Sequence, residues 1–179
     1  MKDPTTNKLI SAWLALSTAV CAWDASFLLL RPHSMPGGAL AFFWLPYDIY
    51  LKFDLSYGLE HTNGFVPAQA VGNLIECALC VAYLYLVYGV GTAAARHHAV
   101  LVGVAATLMT GYKTVLFVLQ EYFADFSSIA HNPTADILLQ WVFPQTVFIV
   151  VPFYLTHILG DYALRRMAVA DVADAAKKE

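Results

Sequence analysis

One carboxylate in the middle of an otherwise uncharged apolar run most constrains this chain. Phe65 to Leu86 is long enough to cross a bilayer, and Glu76 is its one charged residue. Counted along a helix, the carboxyl lies roughly 15 Å from either end, near a membrane midplane. Facing lipid there costs about 2.5 to 3.5 kcal/mol even on the insertion scale, so Glu76 is expected to face protein or a cavity. Gln69, Asn73, Glu76 and Cys80 follow at i, i+4, i+7 and i+11, one stripe of a helix. A polar stripe of this kind requires other helices around it.

The rest of the chain supplies them. Of its 179 residues, 59% are hydrophobic and 13% charged, where a soluble domain has about 25% charged. The expected class is all-α integral membrane, one four-helix bundle, with segments at about 9–30, 65–86, 99–120 and 137–159. Lys2 and Lys8 precede the first segment as they would a signal peptide. Its 22 residues and Asp24 point instead to a retained helix. Lys113 is the one fixed charge of the third segment, and Gln140 and Gln145 lie in the fourth.

Sidedness follows from the basic residues. Lys2, Lys8, Arg96, Arg165, Arg166, Lys177 and Lys178 fall on the face shared by the termini, against Arg31 and Lys52 on the other. The positive-inside rule then places both termini, and a tail at 160–179, in the cytosol. A net charge of −3 without a basic run excludes a nucleic-acid footprint. Cys21, Cys77 and Cys80 lie in apolar segments, and the C-x-x-C lacks a second ligand pair, so they read as small buried residues rather than metal ligands. His33, His61, His97, His98, His131 and His157 sit in loops or near helix ends without metal-site spacing. No metal and no cofactor is expected, and no phosphate loop or nucleophile elbow is present.

The connection at 31–64 is too long for a bare linker and too aromatic for disorder. Pro36, Gly37 and Gly38 make a turn. Ala39 to Tyr57 then reads as helical pieces broken at Pro46, carrying Trp44, Tyr47, Tyr50 and Tyr57, with Asp48 and Asp54. Such aromatics suit the headgroup region, and the segment is expected to form a lid on the outer face. The second outer loop, Glu121 to Asp136, carries His131, Asn132 and Pro133.

Measured from the outer end of each segment, Asp24 lies about 9 Å deep, Lys113 about 10 Å, Gln145 about 12 Å and Glu76 about 16 Å. Inward-facing side chains at these depths suit one cavity under the lid. Asp24 and Lys113 equally suit a structural ion pair, and Gln145 and Asn73 suit interhelical hydrogen bonding. Glu76 is the functional candidate by default.

The order of these residues resembles the EXPERA, or emopamil-binding-protein-like, family, which includes a sterol Δ8-Δ7 isomerase and the sigma-2 receptor. The resemblance rests on Tyr50, Asp54 and Tyr57 in the lid, Glu76 and Cys80 in the second segment, and Tyr112, Val115, Leu116, Leu119 and Glu121 in the third. It continues through His131, Pro133, Gln145 and Pro152, covering most of the chain. It implies a four-helix bundle of the endoplasmic reticulum whose acidic residues neutralise a ligand cation or a carbocation-like transition state. The chain departs from the isomerase pattern at Asp24 and Leu28, at Lys113 and at Phe148. It is more similar to the small fungal-type members, some acting in natural-product pathways as cyclases, isomerases or epoxide-opening hydrolases.

The expectation is therefore cofactor-free acid/base chemistry on a hydrophobic terpenoid, polyene or sterol-like substrate. Glu76 is the principal acid, Asp24 its base or partner, Lys113 a tuning or oxyanion-holding group, and Asp54 a further acid at the mouth. Asn73, Trp44, Tyr50, Tyr57, Tyr112, Glu121, Gln145 and Phe148 are expected to bind substrate. The alternative is a non-catalytic sterol- or lipid-binding protein. The expected partners are that small molecule and the bilayer, with a homodimer allowed.

Overall fold

The computed structural model describes residues 3–60 and 64–176, with side chains through Ala170. Lys2, His61, Lys177 and Lys178 lie outside the described residues. The described chain is helical, without strands, and contains four helices long and apolar enough to cross a membrane. It is an integral membrane protein by that criterion.

Helix α1, Lys8–Leu29, starts where the Asn7 side chain accepts from the Leu9 amide at 3.0 Å. Helix α2, Tyr47–Phe53, belongs to the lid. Helix α3, Phe65–Leu84, runs into a π-helical turn, Tyr85–Val90, and stops at Gly91, whose φ of 66° is the left-handed conformation open to glycine. Thr92 then caps α4, Ala93–Phe123, so two spans are joined by two residues. The last span is α5, Thr134–Ile137, a π turn, Leu138–Val142, and α6, Phe143–Ala176.

Two helices differ most from the sequence expectation. Helix α4 is longer at both ends than 99–120, and the stretch at 160–176, expected as a separate tail, continues α6. Ala163, Leu164, Arg165, Arg166, Met167 and Ala168 are strong or tolerant helix formers, and Arg165 bonds Asp161 one turn earlier at 2.8 Å. Nothing in that stretch breaks the helix.

Helices pack in the order α1 on α3, α3 on α4, and α4 on α6. Across the remaining side, Trp13 and Phe148 touch with ring centroids 5.4 Å apart. Close approach of α3, α4 and α6 depends on Gly103, where an added Cβ would lie 2.9 Å from Leu159 Cδ1 and 3.0 Å from Tyr83 Cδ2. Both neighbours are fully buried. Gly160, on α6, has nothing within 4 Å of the same position. Gly160→Ala is thus expected to stabilise by up to about 1 kcal/mol through helix propensity. Gly103→Ala gains the same propensity but overpacks by about 1 to 3 kcal/mol, for a net loss of up to about 2. Thermal unfolding of the two variants in one detergent checks the opposite signs.

The lid is a packed layer of aromatics. Tyr47 stacks on Phe27 of α1 at 4.0 Å, with Trp44, Phe53 and Tyr57 buried beside them. Backbone anchors hold it down: Trp44 Nε1 donates to Trp23 O at 3.0 Å, Trp23 Nε1 to Phe43 O at 3.1 Å, and Arg31 to Tyr57 O at 2.7 Å. The loop between α4 and α5 clasps it from the far side, with His131 Nε2 2.8 Å from Lys52 O and Asn132 Nδ2 donating to Phe53 O at 2.7 Å.

Candidate functional site

Beneath the lid lies a cavity of about 320 Å³. Its walls come from every span: Val20, Cys21, Asp24 and Leu28 of α1, Gln69, Ala70 and Asn73 of α3, Lys113, Thr114 and Phe117 of α4, and Pro144, Gln145 and Phe148 of α6. Tyr47, Tyr50 and Tyr57 close it from the lid. The lining is largely aliphatic and aromatic, with a polar corner at Asp24, Asn73 and Lys113. That combination suits an apolar ligand oriented by a few polar groups.

The polar corner is one connected chain. Tyr47 Oη donates to Asp24 Oδ1 at 2.7 Å, and Asn73 Nδ2 donates to Asp24 Oδ2 at 3.3 Å. The other end of the Asn73 amide accepts from Lys113 Nζ. Lys113 in turn pairs with Glu76 Oε2 at 3.0 Å, and Ser17 Oγ donates to Glu76 Oε1 at 3.1 Å. A hydroxyl, a carboxylate, an amide, an ammonium and a second carboxylate thus alternate from lid to midplane. The lysine stem runs beside Gly72, where a Cβ would lie in ordinary van der Waals contact with Lys113 Cδ at 3.4 Å.

Lys113 therefore pairs with Glu76, and Asn73 stands between it and Asp24. The reason is helix length: because α4 continues to Phe123, Lys113 is about 15 Å from its end, level with Glu76 at about 16 Å. Glu76 itself is fully buried and lies behind Lys113 and Asn73 rather than on the cavity wall. Asp24 is the carboxylate that the cavity meets.

The cavity brings together Asp24, Lys113, Asn73, Tyr50, Tyr57, Gln145 and Phe148. Other expected residues lie elsewhere. Tyr112 is on the outward face of α4, 59% exposed, one position off the stripe that carries Lys113. Trp44 is buried in the lid layer against Phe27. Glu121 is fully buried near the loop end of α4, outside the cavity lining. Asp54 is a cap: its Oδ1 accepts from Ser56 N at 3.0 Å and Ser56 Oγ at 2.6 Å, starting the short helix Leu55–Tyr57. Tyr47, Cys21, Gln69 and Phe117 line the site without having been singled out for it. Tyr47 was legible only as one of several lid aromatics, since its bond to Asp24 depends on how the lid folds over α1.

Burial pushes the Asp54 carboxyl above its usual range, opposed by the two bonds from Ser56. Its folded state holds a proton more tightly than the unfolded chain does. Lid stability is therefore highest at and below the ordinary carboxylate range and falls as pH rises through the raised value. Asp54→Asn, which keeps an acceptor for the cap, is expected to flatten that slope, whereas Asp54→Ala costs about 1 kcal/mol. Hydrogen exchange of residues 47–57 across pH checks both. Burial also pushes up the Tyr47 phenol, and the Asp24 charge adds to it, so Tyr47 remains a donor to Asp24.

The fold and site define a four-helix integral membrane protein with a lidded, mostly apolar cavity and a buried charged chain. No family model, curated protein or solved structure matches the chain.

Proposed function

We propose that this protein is a membrane enzyme of the EXPERA, emopamil-binding-protein-like type, performing cofactor-free acid/base chemistry on a hydrophobic terpenoid, polyene or sterol-like substrate. Isomerisation, cyclisation and epoxide opening all fall within this reading. This reading includes residence in the endoplasmic reticulum and cytosolic termini, the latter supported by the excess of basic residues at that end.

The observation that carries the reading is Asp24 on the wall of an apolar cavity, with two donors on its oxygens and an ammonium one amide away. A carboxylate held this way can take a proton from carbon or face a developing carbocation. Lys113 reaches the same cavity and can face charge developing on an opening epoxide oxygen. The aromatic rings of Tyr47, Tyr57, Phe117 and Phe148 add cation-π stabilisation along the walls. Glu76, the residue first expected as the acid, acts in this scheme by holding Lys113 in place.

The second reading, a non-catalytic sterol- or lipid-binding protein, is favoured by one feature. The deepest acid is already neutralised by Lys113, so a single cavity-facing carboxylate remains to hold a cationic ligand. A metabolite comparison separates the two. A eukaryotic host expressing wild type is fed sterols, polyprenyl epoxides and polyene epoxides beside a host expressing Asp24→Asn. A product made only by wild type at equal protein level supports the enzyme. Ligand retained by wild type without any new product supports the binder.

A further inference from the structure

At the opposite end of the bundle, a second groove of about 310 Å³ runs between α4 and α6. Its walls are apolar, chiefly Val100, Leu101, Tyr162 and Met167, and its rim carries His97 and Arg166. Measured along α4 from the middle of the apolar run at 99–120, His97 lies about 19 Å away and Leu101 about 13 Å, while half the hydrocarbon core is about 15 Å. The groove thus straddles the boundary between acyl chains and headgroups, apolar on the inner side and cationic on the outer.

The charges at this end are not equivalent. Arg165 is satisfied by Asp161 at 2.8 Å, and Arg96 donates to the Gly91 carbonyl at 2.9 Å, where it helps close α3. Arg166 lies 3.0 Å from His97 Nε2 and pairs with no carboxylate among the described residues. A guanidinium with no carboxylate partner among the described residues, set over an apolar slot at headgroup depth, has the complementarity of a phosphate carrying an acyl chain.

We infer that the α4–α6 groove binds an anionic phospholipid, its phosphate on Arg166 and His97 and one acyl chain along Val100, Leu101 and Tyr162. The site is separate from the lidded cavity and does not depend on the function proposed for it. An anionic lipid is favoured over a zwitterionic one because the choline of the latter already balances its phosphate. Leu101 and Met167, each more than half exposed, would be covered by the bound chain.

The test is native mass spectrometry of the purified full chain in micelles containing equal phosphatidylglycerol and phosphatidylcholine. Wild type is expected to retain phosphatidylglycerol with a preference of about fivefold, the factor one arginine near an anionic surface supplies. Arg166→Gln should abolish that preference and Arg165→Gln should leave it. Leu101→Trp, which fills the slot without touching a charge, should also reduce the adduct. Equal retention of the two lipids by wild type would overturn the proposal. So would equal losses in the two arginine variants, an adduct unaffected by Leu101→Trp, or displacement by glycerol 3-phosphate alone, which would indicate a headgroup-only site.

Discussion

Lys113→Met is expected to lower the unfolding free energy by about 3 to 5 kcal/mol, the cost of leaving one member of a buried ion pair alone. Methionine matches the lysine stem, so the loss is electrostatic rather than a cavity. What remains is Glu76, fully buried, with Oε1 held by Ser17 and Oε2 without any donor at hydrogen-bonding angle. The Lys113–Glu76 contact is thus a charge pair at 3.0 Å, and removing the charge removes all that Oε2 has. Glu76→Gln is expected to cost less. The lysine side chain keeps 13% exposure at the cavity, and its ammonium retains Asn73. Combining the two changes should recover most of the loss, leaving a neutral pair of similar volume. Chemical denaturation of the four proteins in one detergent measures the coupling. A Lys113→Met protein as stable as wild type would mean that Glu76 needs no counter-charge in the folded state.

That pair shows where the sequence was readable and where it stopped. Four spans, an aromatic lid and an inward stripe on α3 all follow from periodicity and from the cost of a charge in lipid, which act locally. The identity of Lys113's partner does not. It depended on three residues at the end of α4, which lower Lys113 by about 5 Å from the level of Asp24 toward that of Glu76. Helix ends are set by capping and by loops such as Ala124 to Pro133, whose geometry the apolar pattern does not encode. The capping role of Asp54 was hidden for a related reason. An acid two residues before a serine suits a cap as well as a catalytic mouth, and only the fold of the lid separates them. Tyr112 and Lys113 are neighbours in sequence but face lipid and cavity respectively, a distinction of about 100° that needs the helix rotation to be known.

Asp24→Asn is expected to reduce turnover by about 10² to 10⁴-fold, the range that one positioned acid/base group contributes. The change is nearly isosteric and keeps an acceptor for Tyr47. One oxygen becomes an amide nitrogen facing the Asn73 amide, which disturbs the chain at a single link. Because Asp24 meets the cavity while Glu76 meets Lys113, the two acids should separate under different readouts. Asp24→Asn should lose kcat at near-native stability, and Tyr47→Phe, which removes one donor from Asp24, should lose less. Glu76→Gln should lose stability first, with a change in activity only as far as Lys113 shifts. Circular dichroism melts and single-turnover assays on the same preparations would read both. If Glu76→Gln were inactive at full stability while Asp24→Asn still turned over, the proton would have to come from behind Lys113. The ion pair would then open during the reaction, and Asp24 would serve only to orient the ligand.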